Sequence, residues 1–398
     1  MRSVRPLLLL CLLLLVPGLA SARDHDAEAR AILARHPLVD GHVDLPTRLQ
    51  THWEDVGNAA AGGDFDHPRA KAGGLSAPFM SIYIPSELEG GGARALADVL
   101  IDQVEAIVFR APEKFALART AADIRSNHAK GLISLPLGIE NGAALEGKLE
   151  NLRHFRDRGV RYITLAHAKS NALSDASYDE AKIWGGLSPL GESVVREMNR
   201  LGILVDVSHL SDAAFLEAVE ISSVPVIASH SSMRHFTPGL ERNVSDEMLR
   251  ALAKKGGVLM INFGSFFLRE EAVAWSNQRT VATDAWKALQ GANFSEEKGK
   301  AFDESYRAAH PYPYATVGDV ADHVERAVKI GGIEHVGIGS DYDGVGDSLP
   351  DGLKDVASYP ALVAELLRRG MKEEDLGKIL GGNVLRVMEQ AEGAAARD

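Results

Sequence analysis

The chain has 398 residues, of which 45% are apolar, 25% charged and 6% aromatic. That balance describes a globular protein and excludes intrinsic disorder and collagen-like repetition. Lys and Arg number 43 against 55 Asp and Glu, and the net charge of −12 argues against a nucleic-acid partner or a groove for anionic lipid.

Arg2 and Arg5 precede an unbroken apolar run over 6–16, followed by Pro17-Gly18 and Ala20-Ser21-Ala22. Charge, a short apolar core and then small residues make up a secretory signal peptide, here residues 1–22. The run falls short of the ~20 residues that a membrane span needs. Its removal takes away Cys11, the only cysteine, so residues 23–398 form a thiol-free chain that depends on core packing for stability. The expectation is a periplasmic or secreted protein with no stable membrane anchor after cleavage, residues 23–398 forming one barrel domain.

Beyond residue 37, short β-rich runs alternate with helical stretches, as in parallel βα units. Strands are predicted over 38–44, 79–84, 132–140, 161–167, 203–209, 224–230, 257–262 and 335–341. Their apolar centres are nearly continuous, as in strands buried on both faces. Between them, Ser188 with Pro189 starts a helix that Gly202 stops. Ser245 starts another that ends at Gly256-Gly257, and Pro360 opens one closed by Gly370. Eight such units predict a (β/α)8 TIM barrel; an open flavodoxin-like sheet is the alternative.

In a barrel the chemistry sits at the C-terminal strand ends. Those ends read His42/Asp44, Tyr83, Glu140, His167, His209, His230, Asn262 and Asp341, and six of the eight carry a metal-capable side chain. His42 and Asp44 are two residues apart, so both leave the same face of a strand and can grip one ion. Alone, such a pair is as often a cap or a salt bridge. Glu140 follows a mostly apolar run, where a charge is costly unless paired or metal-bound, and its two oxygens can bridge two cations. His209 and His230 each follow an apolar strand and a Ser, and neutral imidazole is the commonest transition-metal ligand. His167 fits another ligand or a donor to developing negative charge. Asp341 suits a general base, while Asp343, ahead of Gly344, fits a turn. Two ions sharing Glu140 would generate a nucleophilic hydroxide bridging them; the imidazole–carboxylate donors suit zinc best, and by ligand type they also accommodate iron, cobalt or manganese.

Most of these residues lie in a series of motifs: Asp40-Gly-His-Val-Asp-Leu-Pro46, Ile139-Glu-Asn-Gly142, Gly159-Val-Arg-Tyr162, Val205-Asp-Val-Ser-His209, Ser229-His-Ser-Ser232, Arg242-Asn-Val244, Gly339-Ser-Asp-Tyr-Asp-Gly344 and Gly382-Asn-Val-Leu-Arg386. In this order the chain resembles the membrane (renal) dipeptidase family of zinc metallopeptidases, from Val39 to Val387. The resemblance implies two zinc ions, one held by His42, Asp44 and Glu140 and the other by Glu140, His209 and His230. It also implies that His167 lies over the carbonyl of a dipeptide substrate, that Arg242 binds the substrate's C-terminal carboxylate and that Asp341 handles protons. A homodimer is implied by analogy. Thr47 and Gly264 stand where the mammalian enzyme has aromatic residues, so side-chain preference does not carry over. Residues 266–314, with Trp275 and Trp286, look like a helical insertion relative to the mammalian form and fit a lid or a dimer contact. Rival readings are the same metal site acting on a lactam or another amide, the tailoring of a peptide natural product, and a binding protein that has lost its chemistry.

Overall fold

The computed structural model describes residues 24–395; the expected signal peptide and Cys11 lie outside the described residues. The strands are β1 (Leu38–Val43), β2 (Leu75–Tyr83), β3 (Phe115–Leu117), β4 (Ile133–Leu135), β5 (Leu137–Glu140), β6 (Val160–Thr164), β7 (Leu204–Asp206), β8 (Ile227–Ala228), β9 (Val258–Ile261) and β10 (Val336–Ile338). Eight close into a parallel barrel in the order β1-β10-β9-β8-β7-β6-β5-β2, with β2 returning to β1. This is the (β/α)8 barrel predicted.

The expected strand over 132–140 is two strands. Pro136 has no N–H to give a ladder, and the chain switches sheets there: β4 pairs outside the barrel with β3, while β5 enters between β2 and β6. The later strands are also shorter than predicted. Beyond β7 the ladder gives way to side chains, as the Asp206 carboxylate accepts from the N–H groups of Ser208 at 3.1 Å and Ser229 at 2.8 Å. On these later strands the polar residues therefore sit one to three residues past the strand ends. The helix signals are observed as read. Ser188 caps Pro189–Leu201 and left-handed Gly202 ends it, Ser245 caps Asp246–Lys254, and Pro360 lies in the first turn of Tyr359–Arg368.

The lumen is filled by large side chains set against glycines. Phe79 and Tyr162 pack at 5.1 Å between ring centres. A Cβ at Gly138 would collide with the Tyr162 ring, and one at Gly41 with Met260. A second, larger core lies between barrel and helices and includes Phe155, Phe215, Phe263 and Tyr359.

Between β9 and the helix Val317–Gly331 lies the expected helical excursion, made of Ser265–Leu268, Glu270–Gln290 and Glu296–Ala309. Its two long helices meet through Trp286 stacked on Phe302 at 4.9 Å and Trp275 against Tyr306 at 5.6 Å. Only Ala272 and Trp275 are buried on the first, and no residue on the second. Among the described residues no helix is long and apolar enough to cross a membrane.

Candidate active site

The C-terminal ends of the barrel strands converge on one buried cluster. His42 is the fifth residue of β1, and Asp44 opens the helix Leu45–Thr51 without spending its side chain on the cap. Glu140 ends β5. Its two oxygens face different partners: Oε2 lies 3.4 Å from His42 Nε2, whereas Oε1 lies 3.0 Å from His209 Nε2 and 3.3 Å from His230 Nε2. Asp44 Oδ2 is 3.4 Å from His42 Nε2 on the first side. Donor atoms of His42, Glu140 and His230, of Glu140, His167 and His209, and of His42, Asp44 and Asp341 each fall within 4.8 Å of one another. The five ligand candidates picked out from strand ends are thus brought together, with Glu140 between them.

Several of these residues hold a constrained backbone. Of the five non-glycine residues with positive φ among those described, Asn141, His209, Asp341 and Asp343 follow the ends of β5, β7 and β10. Such conformations cost of order 1–3 kcal/mol each and persist where surrounding structure over-determines them. Gly344 is required by closeness, since a Cβ there would strike the carboxylates of Asp44 and Asp341.

The imidazoles are oriented from behind. His42 Nδ1 lies 2.9 Å from the Tyr162 hydroxyl, which also bonds the Gly41 carbonyl at 3.1 Å. His230 Nδ1 lies 2.7 Å from Ser229 Oγ, which donates to Asp206 Oδ2 at 2.7 Å. Thr164 Oγ1 donates to the same oxygen at 2.5 Å. Partners of this kind fix ring orientation and which nitrogen faces an ion. Asp206 and Tyr162 are not among the residues that the strand ends pick out, although Asp206 ends β7 as a charge after an apolar run, the same signal that marks Glu140.

Electrostatics fit a cation. Burial opposes ionisation of Glu140, but His42, His167 and the hydrogen bonds of His209 and His230 outweigh it and hold the carboxyl well below its usual range. Burial, Arg242 and neighbouring histidines push His209 and His230 well below theirs, leaving neutral imidazoles able to ligate. Burial also opposes charge on His42, yet Tyr162, Glu140 and Asp44 together raise it well above the ordinary value, so the local field draws positive charge. Asp341 is pushed up to about 7 by burial, against His42 and with Asp44 and Glu140. At an effective dielectric of ~20, Asp44 and Asp341 with oxygens within 4.8 Å would repel by at least about 3.5 kcal/mol if both were ionised. His42 Nε2 and His209 Nδ1 are buried without hydrogen-bond partners. Donor chemistry, convergence and a buried His42 Nε2 that faces two carboxylates without a hydrogen bond fit bound metal.

The remaining expected residues lie around this floor. His167 Nε2 is 3.5 Å from Glu140 Oε1, and its ring meets Tyr83 at 4.9 Å. Asp341 Oδ2 accepts from Asn262 Nδ2 at 2.7 Å. Asp343 is a clamp: its Oδ1 accepts from the Asp64 N–H at 2.6 Å, and its Oδ2 pairs with Arg48 Nε at 3.1 Å. Arg242, which no spacing revealed, is buried beside the cluster. Its Nη1 donates to Ser231 Oγ at 2.6 Å, and its Nη2 donates to the His230 carbonyl at 2.8 Å and lies 3.0 Å from His209 Nε2. Above the floor opens a cavity of about 640 Å³ lined by Asp44, Glu140, His167, His209, His230 and Asp341 below and by the helical excursion above.

The family model for membrane dipeptidases (peptidase family M19) matches residues 26–398. A dipeptidase of Aspergillus oryzae, aclJ, is 33% identical over 387 residues, 93% of this chain and 82% of its own. Among solved structures, the probable dipeptidase PvdM of Pseudomonas aeruginosa shares the fold with a TM-score of 0.80 at 24% identity, covering 93% of this chain and 99% of that one. A metallopeptidase of Rhodobacter sphaeroides, solved with a phosphinate mimic of the dipeptide L-Ala-D-Ala, matches at a TM-score of 0.73 and 25% identity, covering 89% of this chain and 99% of that one. A barrel with a carboxylate and histidines gathered at its strand ends, matched along nearly its whole length, belongs to the membrane dipeptidase family of metal-dependent hydrolases.

Proposed function

We propose that the protein is an exported binuclear zinc dipeptidase, with residues 23–398 acting as one catalytic barrel once residues 1–22 are removed. The observation that carries this reading is the placement of Glu140, one oxygen toward His42 and the other toward His209 and His230. His42, Asp44 and Glu140 would hold one ion and Glu140, His209 and His230 the other. Ions so held supply Lewis acidity that lowers the pKa of the attacking water and polarises the scissile carbonyl. Imidazole and carboxylate donors suit zinc.

The chain's own groups complete the chemistry. Asp341, fixed by Asn262 and with a carboxyl near 7, is matched to taking a proton from water and passing it to the leaving amine. His167, kept neutral mainly by burial, donates a hydrogen bond to the carbonyl oxygen as it gains charge. Arg242 is the anchor for the substrate's free carboxylate. Its Nη2 lies 3.0 Å from His209 Nε2, a contact that would be free for that carboxylate with the imidazole on an ion, and a guanidinium fork grips a carboxylate bidentately.

The test is a panel of Xaa-L-Xaa and Xaa-D-Xaa dipeptides offered to chelated and to zinc-reloaded protein. Hydrolysis should appear with zinc and require the free C-terminal carboxylate. Cleavage of lactams or other amides with free dipeptides untouched would overturn the reading. Fractionation of the producing cells should find the protein outside the cytoplasm and shortened at its N-terminus.

A further inference from the structure

The upper wall of the cavity carries a second set of polar groups with no part in the chemistry above. Trp275 and Arg279 on Glu270–Gln290, Arg307 on Glu296–Ala309 and Tyr312 beyond it line the same cavity as Glu140 and His209. Trp275 is 8% exposed, and its Nε1 donates to the His310 carbonyl at 2.8 Å, so the indole is a fixed platform. Both guanidinium groups lie over it, Arg279 at 5.9 Å and Arg307 at 5.2 Å from the ring centre. One carboxylate braces the pair: Asp303 Oδ1 accepts from Arg279 Nε, and Oδ2 lies 3.4 Å from Arg307 Nε.

This brace uses the Nε edges and leaves the outer edges of both forks open. Among the described residues the Nη atoms of Arg279 have no hydrogen-bond partner, and those of Arg307 meet only Asp347 Oδ2 at a long 3.5 Å. Asp347 is itself engaged by the Tyr314 hydroxyl at 2.8 Å. The two side chains remain 38% and 33% exposed. Arginines serving only to hold the helices together would close their forks on carboxylates; these present the planar donor edges that match a carboxylate. The cavity's roughly 640 Å³ lies in the range that encloses a drug-sized ligand, so it has room for more than two minimal residues.

We propose that Arg279 and Arg307, mounted on Trp275, form a carboxylate-selecting subsite, so that the preferred substrates are dipeptides carrying a second, side-chain carboxylate. The inference rests on the dipeptidase reading and names its substrate class. With Arg242 on the α-carboxylate, the second carboxylate is drawn to the helical wall.

The experiment compares kcat/KM of the zinc-loaded enzyme for the isosteric pairs Glu-Ala with Gln-Ala and Ala-Glu with Ala-Gln, with Ala-Ala as reference. One acidic member should exceed its amide by about tenfold or more, the gain of one charge-assisted hydrogen bond, and the pair that shows it identifies the residue that reaches the subsite. The ratio should fall toward one in the R279Q/R307Q double variant. In D347N it should rise, because a competitor for Arg307 is lost; a merely damaged protein would not gain selectivity. Equal rates within both pairs while Ala-Ala is hydrolysed would overturn the subsite and leave the dipeptidase reading standing. Failure to hydrolyse every member, with the C-terminal residue in the L and in the D configuration, would overturn both.

Discussion

The floor and the upper wall of the cavity are built by opposite means. On the floor, His42, Glu140 and His230 are buried, and each points where strands, a lumen tyrosine or a buried serine–aspartate pair direct it. The wall is a helix pair outside the barrel whose second helix buries no residue. A site held by packed strands keeps the geometry that metal and proton transfer need, whereas an external excursion can change its lining without disturbing the barrel. Chemistry and selection are thus assigned to different parts of the chain.

The strongest way to break this division is at the shared ligand. Glu140→Gln should lower metal content to one ion per chain or none and bring turnover below detection, as read by elemental analysis and dipeptide hydrolysis; full activity with unchanged metal would defeat the two-ion assignment. Next comes the joint between the regions. His323 accepts from the Met233 N–H at 3.0 Å and lies 3.0 Å from the Leu268 carbonyl, tying the loop after β8 to the base of the excursion. Burial lowers it to about 4 from 6.5. Because the folded value is depressed, the stabilisation is complete above pH 6.5 and is lost as pH falls toward 4, by about 3 kcal/mol. Urea unfolding across that window should show the loss in the native protein and a shallower dependence in His323→Gln; identical slopes would remove His323 from the account.

Two smaller effects sharpen the contrast. Asp206→Ala removes the acceptor behind Ser229 and His230 and should weaken metal affinity ~10–100-fold, the usual effect of such a supporting partner. Competition with a chelator measures it, and unchanged affinity would show that His230 is oriented without the relay. Ser295→Ala deletes the cap that accepts from the Lys298 N–H at 3.3 Å and should cost about 1 kcal/mol with metal content untouched. Metal loss in that variant would mean that wall and floor are not separable.

Much of the floor is readable from residues alone, because a polar side chain directly after a buried apolar strand has few other reasons to be there. His42 and Glu140 lie at the C-terminal ends of β1 and β5, and Asp44, His209 and His230 one to three residues past β1, β7 and β8. The break at Pro136 was less visible, since 132–140 is apolar on both sides of the proline and only pairing shows that β4 and β5 belong to different sheets. Asp206 and Tyr162 were legible as residue types, but their action depends on which ring nitrogen each reaches across the lumen. Arg242 lies in an irregular loop, where no period marks a functional position, and it entered only through the family resemblance. Arg279, Arg307 and Trp275 come from two helices and meet only when these pair, so the excursion could be anticipated but not the surface it presents.

The most direct measurement is anomalous diffraction at the zinc edge from crystals of the zinc-loaded protein. The account predicts two peaks per chain ~3.5–4 Å apart, with one Glu140 oxygen on each, His42 and Asp44 beside the first and His209 and His230 beside the second. A single peak, or two with Glu140 bound to neither or only one, would contradict it.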